Sequence, residues 1–380
     1  MVTGMEEERI YMELLRKALG FSQVKLTLPA LSGVLQLAAQ QGTLALIAEE
    51  LLSYYADEVD EKARMLLKQH CAANFMQQQL MRSAMDRSVT ALREAGIQPV
   101  MMKGFTLARL YAKPYLREWG DVDLFVGKEA YHQGAAALRK AFPEAALFEA
   151  EEDHYKHYNI TLERTAVEMH RVSASFPHPR DARIYDALEH DAMVTNVYHY
   201  QSGEEDWYEP EWRFDVLFVF FHSWEHFVES RTAVLRQFCD LALLLSNGKP
   251  DEVSYADLET YLKTNLRKLH LLEVWKLYAY IMVHYLGLPE SRCPLYTDAC
   301  REKAEALFNA VLHRPMKRTK AHTTAPKNIL LRKLYTFRLR WQAAREVARF
   351  EPVYARHLVM TTIAQSWERF KRGENTRKWE

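Results

Sequence analysis

The chain has 380 residues, 48% hydrophobic and 26% charged, an ordinary globular make-up that excludes an intrinsically disordered chain. Its 50 basic and 50 acidic residues cancel, so net charge points to no class of partner. Four widely spaced cysteines exclude a zinc knuckle or disulfide framework. No apolar run reaches the roughly 18 residues of a membrane span, and the acidic start lacks signal-peptide order, so a cytoplasmic protein with no membrane partner is expected.

Residues 5–92 read as helices almost throughout, with Gly20 and Gly96 as closing residues. "IQPVMM" (97–102) then reads as a short strand, Lys103-Gly104 as a turn, and "FTLARLYA" as helix. After the loop "KPYLREWG" comes "DVDLFV" (121–126), a strand, and a helix broken by Pro143. Two paired strands, 155–163 and 166–172, flank the turn-like "ERT". Beyond "SFPHPRD" the pattern is helical to the end. The expected fold class is α+β: an N-terminal helical region (1–92), a small sheet-containing core (93–180) and a C-terminal helical domain (181–380).

Within 121–126, two aspartates stand one residue apart in an apolar run. Alternation on a strand puts Asp121 and Asp123 on one face, roughly 6.6 Å apart along it, and Val122 and Leu124 on the other. Like charges held that close call for a cation or a proton. A hard divalent ion, Mg²⁺ or Mn²⁺, shared with substrate phosphates is the common answer. Glu168, on the next predicted strand, is the candidate third ligand, and His170 shares its face. Lys103 can add a point charge to a triphosphate, the Gly104 backbone can approach an anion, and Arg117 can grip a phosphate with two donors.

"VMMKGFTLARLYAKPYLREWGDVDLFV" followed by "AVEMH" resembles the nucleotidyltransferase (polymerase-beta-like) superfamily, in particular a bacterial group of uncharacterised nucleotidyltransferases. The resemblance implies a minimal nucleotidyltransferase mixed sheet, metal binding by Asp121 and Asp123, and a role for Glu168 in binding metal or activating the acceptor. It also implies an NTP donor, an acceptor that is a small molecule, protein or RNA, and release of pyrophosphate. In the same way "RQFCDLALLL" resembles a helix of that group with Asp240 facing the site. Two departures stand out: Phe105 replaces the usual small residue after the glycine, and the loop from Gly104 to Asp121 is long.

Other readings stand beside this one. A catalytically inactive nucleotide-binding or partner-binding module would carry the same fold. Arg117 could instead pair with Glu118 or Asp121 as a structural ion pair, and His170 could be a hydrogen-bonded sheet residue. "HSWEH" (222–226) matches the arrangement of inverted zinc proteases, with His222 lining the nucleotide cleft as the competing role. The stretch 314–349 holds eleven basic residues against Glu346, while 1–62 holds ten acidic against five basic. That stretch could track a nucleic acid; the favoured reading is an amphipathic helix paired with the acidic N-terminal helices.

Overall fold

The computed structural model describes residues 4–28, 31–147, 156–203, 205–230, 233–313 and 329–371. Its centre is a mixed sheet of seven strands. They are β1 (Val100–Met102), β2 (Asp121–Phe125), β3 (Ala146–Leu147), β4 (His157–Leu162), β5 (Thr165–His170), β6 (Tyr198–Ser202) and β7 (Glu205–Glu209), in the spatial order β3-β4-β5-β2-β1-β7-β6. The α+β class is as expected, and four strands fall where the sequence pattern puts them.

Alternation builds both faces of this sheet. In β4, Tyr158, Ile160 and Leu162 are buried while His157, Asn159 and Thr161 turn the other way. In β2, Val122 and Leu124 join Met101, Tyr158, Ile160, Val167 and Met169 in one apolar cluster. Helices α4 (Glu61–Glu94) and α6 (Gly127–Ala141) cover that face, contributing Met81, Leu92, Tyr131 and Leu138. The opposite face carries Asp121, Asp123, Glu168 and His170. The β4–β5 hairpin turns on Glu163 and Arg164, both at positive φ (48° and 74°), a two-residue turn whose twist matches that of the flanking strands.

Ahead of the sheet lie α1 (Gly4–Ala18), α2 (Ser32–Gln40) and α3 (Leu44–Tyr54), with a short α5 (Gly104–Ala108) after β1. After it come α7 (Pro179–His190), α8 (Trp212–Glu225), α9 (Leu235–Asn247), α10 (Tyr255–Lys268), α11 (Leu272–His284), α12 (Arg301–Leu312), α13 (Ile329–Val347) and α14 (Pro352–Lys371). Helix α8 is buried nearly all round, with Phe214, Val216, Phe218, Phe220, Phe221 and Trp224 enclosed together with the polar Asp215 and Glu225. A single π-helical turn, His226–Ser230, continues it.

One expectation is corrected. Residues beyond 180 are not helical without interruption, because β6 and β7 form an antiparallel hairpin whose second strand adds to β1 in parallel. Most of its side chains stay exposed or half-exposed, with Trp207 and Glu209 buried, so it lacks the apolar alternation that marks β4. Part of the basic stretch, 314–328, lies outside the described residues; 329–347 is helical, with Phe337 and Trp341 exposed.

Candidate active site

The site lies where β2 and β5 run side by side in parallel. Their register sets Asp123 opposite Glu168 and Asp121 opposite Ala166. The three carboxylates therefore share one face of two adjacent strands. Asp123 is 3% exposed, and one of its oxygens, Oδ1, accepts from two cations: Lys103 Nζ at 3.0 Å and His170 Nε2 at 2.8 Å. Its other oxygen, Oδ2, is buried without a hydrogen-bond partner. Glu168 Oε2 lies 3.5 Å from the same His170 nitrogen and 3.8 Å from His157 Nε2.

The charges sort themselves by who holds the cations. Burial alone would raise the Asp123 carboxyl, but Lys103 and His170 outweigh it and hold it well below the usual carboxylate range. Burial also opposes ionisation of Glu168, and the His170 hydrogen bond again wins and lowers it. Asp121 goes the other way: the neighbouring Asp123 charge, then burial, raises its carboxyl above the ordinary value. Lys103 and His170 are both desolvated, yet the carboxylates around them keep each above its normal range. Asp121 makes no side-chain hydrogen bond or ion pair among the described residues. Three carboxylates thus converge with Lys103 and His170 both bound to one of them.

That surplus fits a hard cation. Oxygen donors from Asp121, Asp123 and Glu168, with an unpartnered buried Oδ2, are the set that Mg²⁺ or Mn²⁺ prefers. Asp123, Glu168 and His170 already hold their ligand atoms within 4.8 Å of one another.

Lys103 reaches the site through a strained turn. Its φ of 51° is unusual for a residue with a Cβ, and Gly104 follows at φ 40°. The glycine has a packing reason: a Cβ there would lie 2.6 Å from the Trp119 ring, which packs edge-on against Phe105 at 4.3 Å. The bulk of Phe105, unexpected from the sequence pattern, is thus taken up by Trp119. Helix α5 is five residues long, so its dipole offers little to an anion.

Arg117 and Asp240 do come together, but with each other, and the ion pair of Arg117 is with Asp240 rather than with Glu118 or Asp121. Arg117 is 3% exposed; its Nε and Nη2 donate to the two Asp240 oxygens at 2.6 and 2.9 Å, and Nη1 donates to the Gly104 carbonyl at 3.3 Å. Tyr111 Oη donates to Asp240 as well, at 2.7 Å. The donors read from the sequence as a phosphate grip are spent, in this structure, on tying the loop before β2 to α9. Of the predicted set, the structure gathers Lys103, Asp121, Asp123, Glu168 and His170 at one face, and sets Arg117 and Asp240 behind it as a buried brace.

Helix α8 supplies a wall. His222 Nε2 lies 3.4 Å from Lys103 Nζ and 3.1 Å from His226 Nε2. Burial first, then the Lys103 ammonium, pushes His222 well below the usual imidazole range and His226 down to about 4, so both rings are neutral. Glu225 turns elsewhere, pairing with Lys156 Nζ at 3.0 Å and accepting from the Ser175 N–H at 3.3 Å. Glu225, the general base that a zinc-protease reading of "HSWEH" needs, is thus engaged away from the two histidines.

Arg236 was missed in the sequence. It sits one helical turn before Asp240, with Nη1 3.6 Å from Asp240 Oδ2, and its charge opposes the rise of the Asp121 carboxyl. The signal was the i, i+4 spacing of an arginine and an aspartate on one helix.

Residues 31–287, which include every residue of this site, match a family described as uncharacterised nucleotidyltransferase. No curated protein and no solved structure matches the chain. The lysine turn, the paired aspartates of β2 and Glu168 on the adjoining strand are one continuous arrangement inside that matched segment, and the chain belongs to the uncharacterised nucleotidyltransferase family.

Proposed function

We propose that the protein transfers a nucleoside monophosphate from an NTP to an acceptor hydroxyl or phosphate in a reaction dependent on Mg²⁺ or Mn²⁺. The observation that carries this reading is the register pairing of Asp123 with Glu168, with Asp121 on the same face and Lys103 Nζ 3.0 Å from Asp123. Asp121, Asp123 and Glu168 would hold the ion, which when bound neutralises charge on the α-phosphate and the leaving group.

The chain's own residues account for the rest. An acceptor oxygen bonds to the α-phosphorus, the bond from that phosphorus to the bridging oxygen breaks, and pyrophosphate leaves. Glu168, kept ionised by His170, accepts the acceptor's proton. Lys103 stays charged and stabilises the departing phosphates, a contribution of about 10²–10³-fold in rate by analogy with other preorganised donors. The neutral His222 and His226 border the space beside Lys103 without adding positive charge.

The test is incubation of the purified chain with each α-labelled NTP, Mg²⁺ or Mn²⁺, and acceptors of four classes: aminoglycoside-like molecules, proteins, tRNA and sugar phosphates. Label in an acceptor with stoichiometric pyrophosphate, lost in Asp123→Asn, supports transfer. The second reading, an inactive nucleotide-binding module, has one observation in its favour: Lys103 and His170 already neutralise Asp123 from within the chain. Metal-dependent NTP binding with no product in any class would establish that reading and overturn catalysis.

A further inference from the structure

We propose that His178, Asp181 and His357 form a second metal site, for a divalent transition ion of the zinc class, that ties α14 to the start of α7. The three residues present ligand atoms that all lie within 4.8 Å of one another, and none of them belongs to the carboxylate face of the sheet. The donor set is different in kind. Two imidazoles and one carboxylate suit zinc or its neighbours, whereas the sheet face offers mainly hard oxygens.

The geometry is close to ligation. His357 Nδ1 is 3.1 Å from Asp181 Oδ2, and His178 Nδ1 is 4.0 Å from Asp181 Oδ1. Ligands on a tetrahedral zinc stand about 3.4 Å apart, given bonds of about 2.0–2.2 Å, a spacing that the 3.1 and 4.0 Å separations bracket. The His178 and His357 rings stack at 4.4 Å and 24°, and the His270 ring stands edge-on to His357 at 5.5 Å.

Independent of this clustering, Asp181 carries an unmet need. It is 1% exposed, and its Oδ1 is buried without a hydrogen-bond partner. A buried carboxylate oxygen left in that state is costly unless a cation or donor meets it. His357 Nδ1 faces Asp181 Oδ2, so ligation at that nitrogen exchanges the hydrogen bond for a metal bond and releases its proton. His178 Nδ1 accepts the Arg180 N–H at 3.2 Å as the cap of α7, and ligation at that nitrogen exchanges one bond for the other.

The position explains a use. His357 and Thr361 lie one turn apart on α14, and Thr361 Oγ1 donates to the Pro177 carbonyl just before His178. The metal would therefore reinforce a contact that already docks this helix. His357 also lies outside the residues that match the family, whereas His178 and Asp181 lie inside them.

The experiment uses the full chain, stripped of metal with a chelator. Zn²⁺ uptake is measured by competition with a chromophoric chelator, and Co²⁺ serves as an optical probe of tetrahedral geometry. Wild type should bind one equivalent of Zn²⁺ more than His357→Gln, Asp181→Asn or His178→Gln, with a tetrahedral Co²⁺ spectrum and a zinc-dependent rise in melting temperature. Asp123→Asn/Glu168→Gln and His222→Gln/His226→Gln should keep that equivalent. His178 has a side chain 41% exposed, so its variant gives an answer even if Asp181→Asn fails to fold. Uptake equal to wild type in His178→Gln and His357→Gln, or no zinc bound by wild type, would reduce the cluster to a hydrogen-bonded helix cap and overturn the proposal.

Discussion

Replacing Asp240 with asparagine separates a brace from a nucleotide contact. The substitution keeps the shape of the side chain but leaves the Arg117 guanidinium, 3% exposed, without its counter-charge. Breaking a buried pair from one side costs about 3–5 kcal/mol, because an uncompensated charge stays behind. At about 2 °C per kcal/mol for a chain of this size, the melting temperature should fall by roughly 6–10 °C. A double variant, Arg117→Met/Asp240→Leu, removes both charges and should recover most of that loss. The pH dependence follows from the same pair. Burial would raise the Asp240 carboxyl, but Arg117 outweighs it and holds it below its unfolded value. Its contribution is thus present above the unfolded carboxylate value of about 3.9 and is lost as pH falls through the lower folded value. Thermal melts by circular dichroism at several pH values read all of this. An Asp240→Asn variant with wild-type stability and a selective loss of NTP affinity would refute the reasoning and return Asp240 to the nucleotide.

Three further outcomes follow from the same structure. Gly104→Ala, at φ 40° with its Cβ 2.6 Å from the Trp119 ring, should destabilise by about 1–3 kcal/mol in chemical denaturation, and Trp119→Leu in the same chain should restore part of that. Asp215, whose carboxyl burial and then Glu209 push up to about 8, favours its neutral form in the fold. Its stabilising effect is therefore complete below about pH 3.9 and lost as pH rises to about 8; Asp215→Asn should match wild type in acid and exceed it near pH 9 by up to about 5 kcal/mol in urea melts. Asp121→Asn should raise the metal-free melting temperature slightly at neutral pH, because it removes the repulsion from Asp123 that raises the Asp121 carboxyl, and yet abolish transfer.

What the sequence made legible was local. Asp121 and Asp123 alternate with Val122 and Leu124, so strand periodicity alone put the carboxylates on one face and the apolar pair on the other. Glu168 and His170 followed from the same rule on β5. The Arg117–Asp240 pair was not legible as a brace, because its partners lie 123 residues apart and an arginine near a phosphate motif reads as a phosphate ligand. Gly104 was read for its backbone, whereas the Trp119 ring that requires it comes from a loop with no periodic signal. The β6–β7 hairpin escaped because its strands are mostly exposed, and the alternation that reveals a strand is an alternation of burial.

The central claim is that the carboxylate face binds a nucleotide through a divalent ion. Isothermal titration of ATP, GTP, CTP and UTP, each with Mg²⁺, Mn²⁺ or excess chelator, tests it most directly in wild type and Asp121→Asn/Asp123→Asn. The account predicts that at least one nucleotide binds wild type with metal present, that chelator abolishes this binding, and that the folded double variant shows none. Binding unchanged by chelator or by the double variant, or no binding of any nucleotide to wild type, would contradict it.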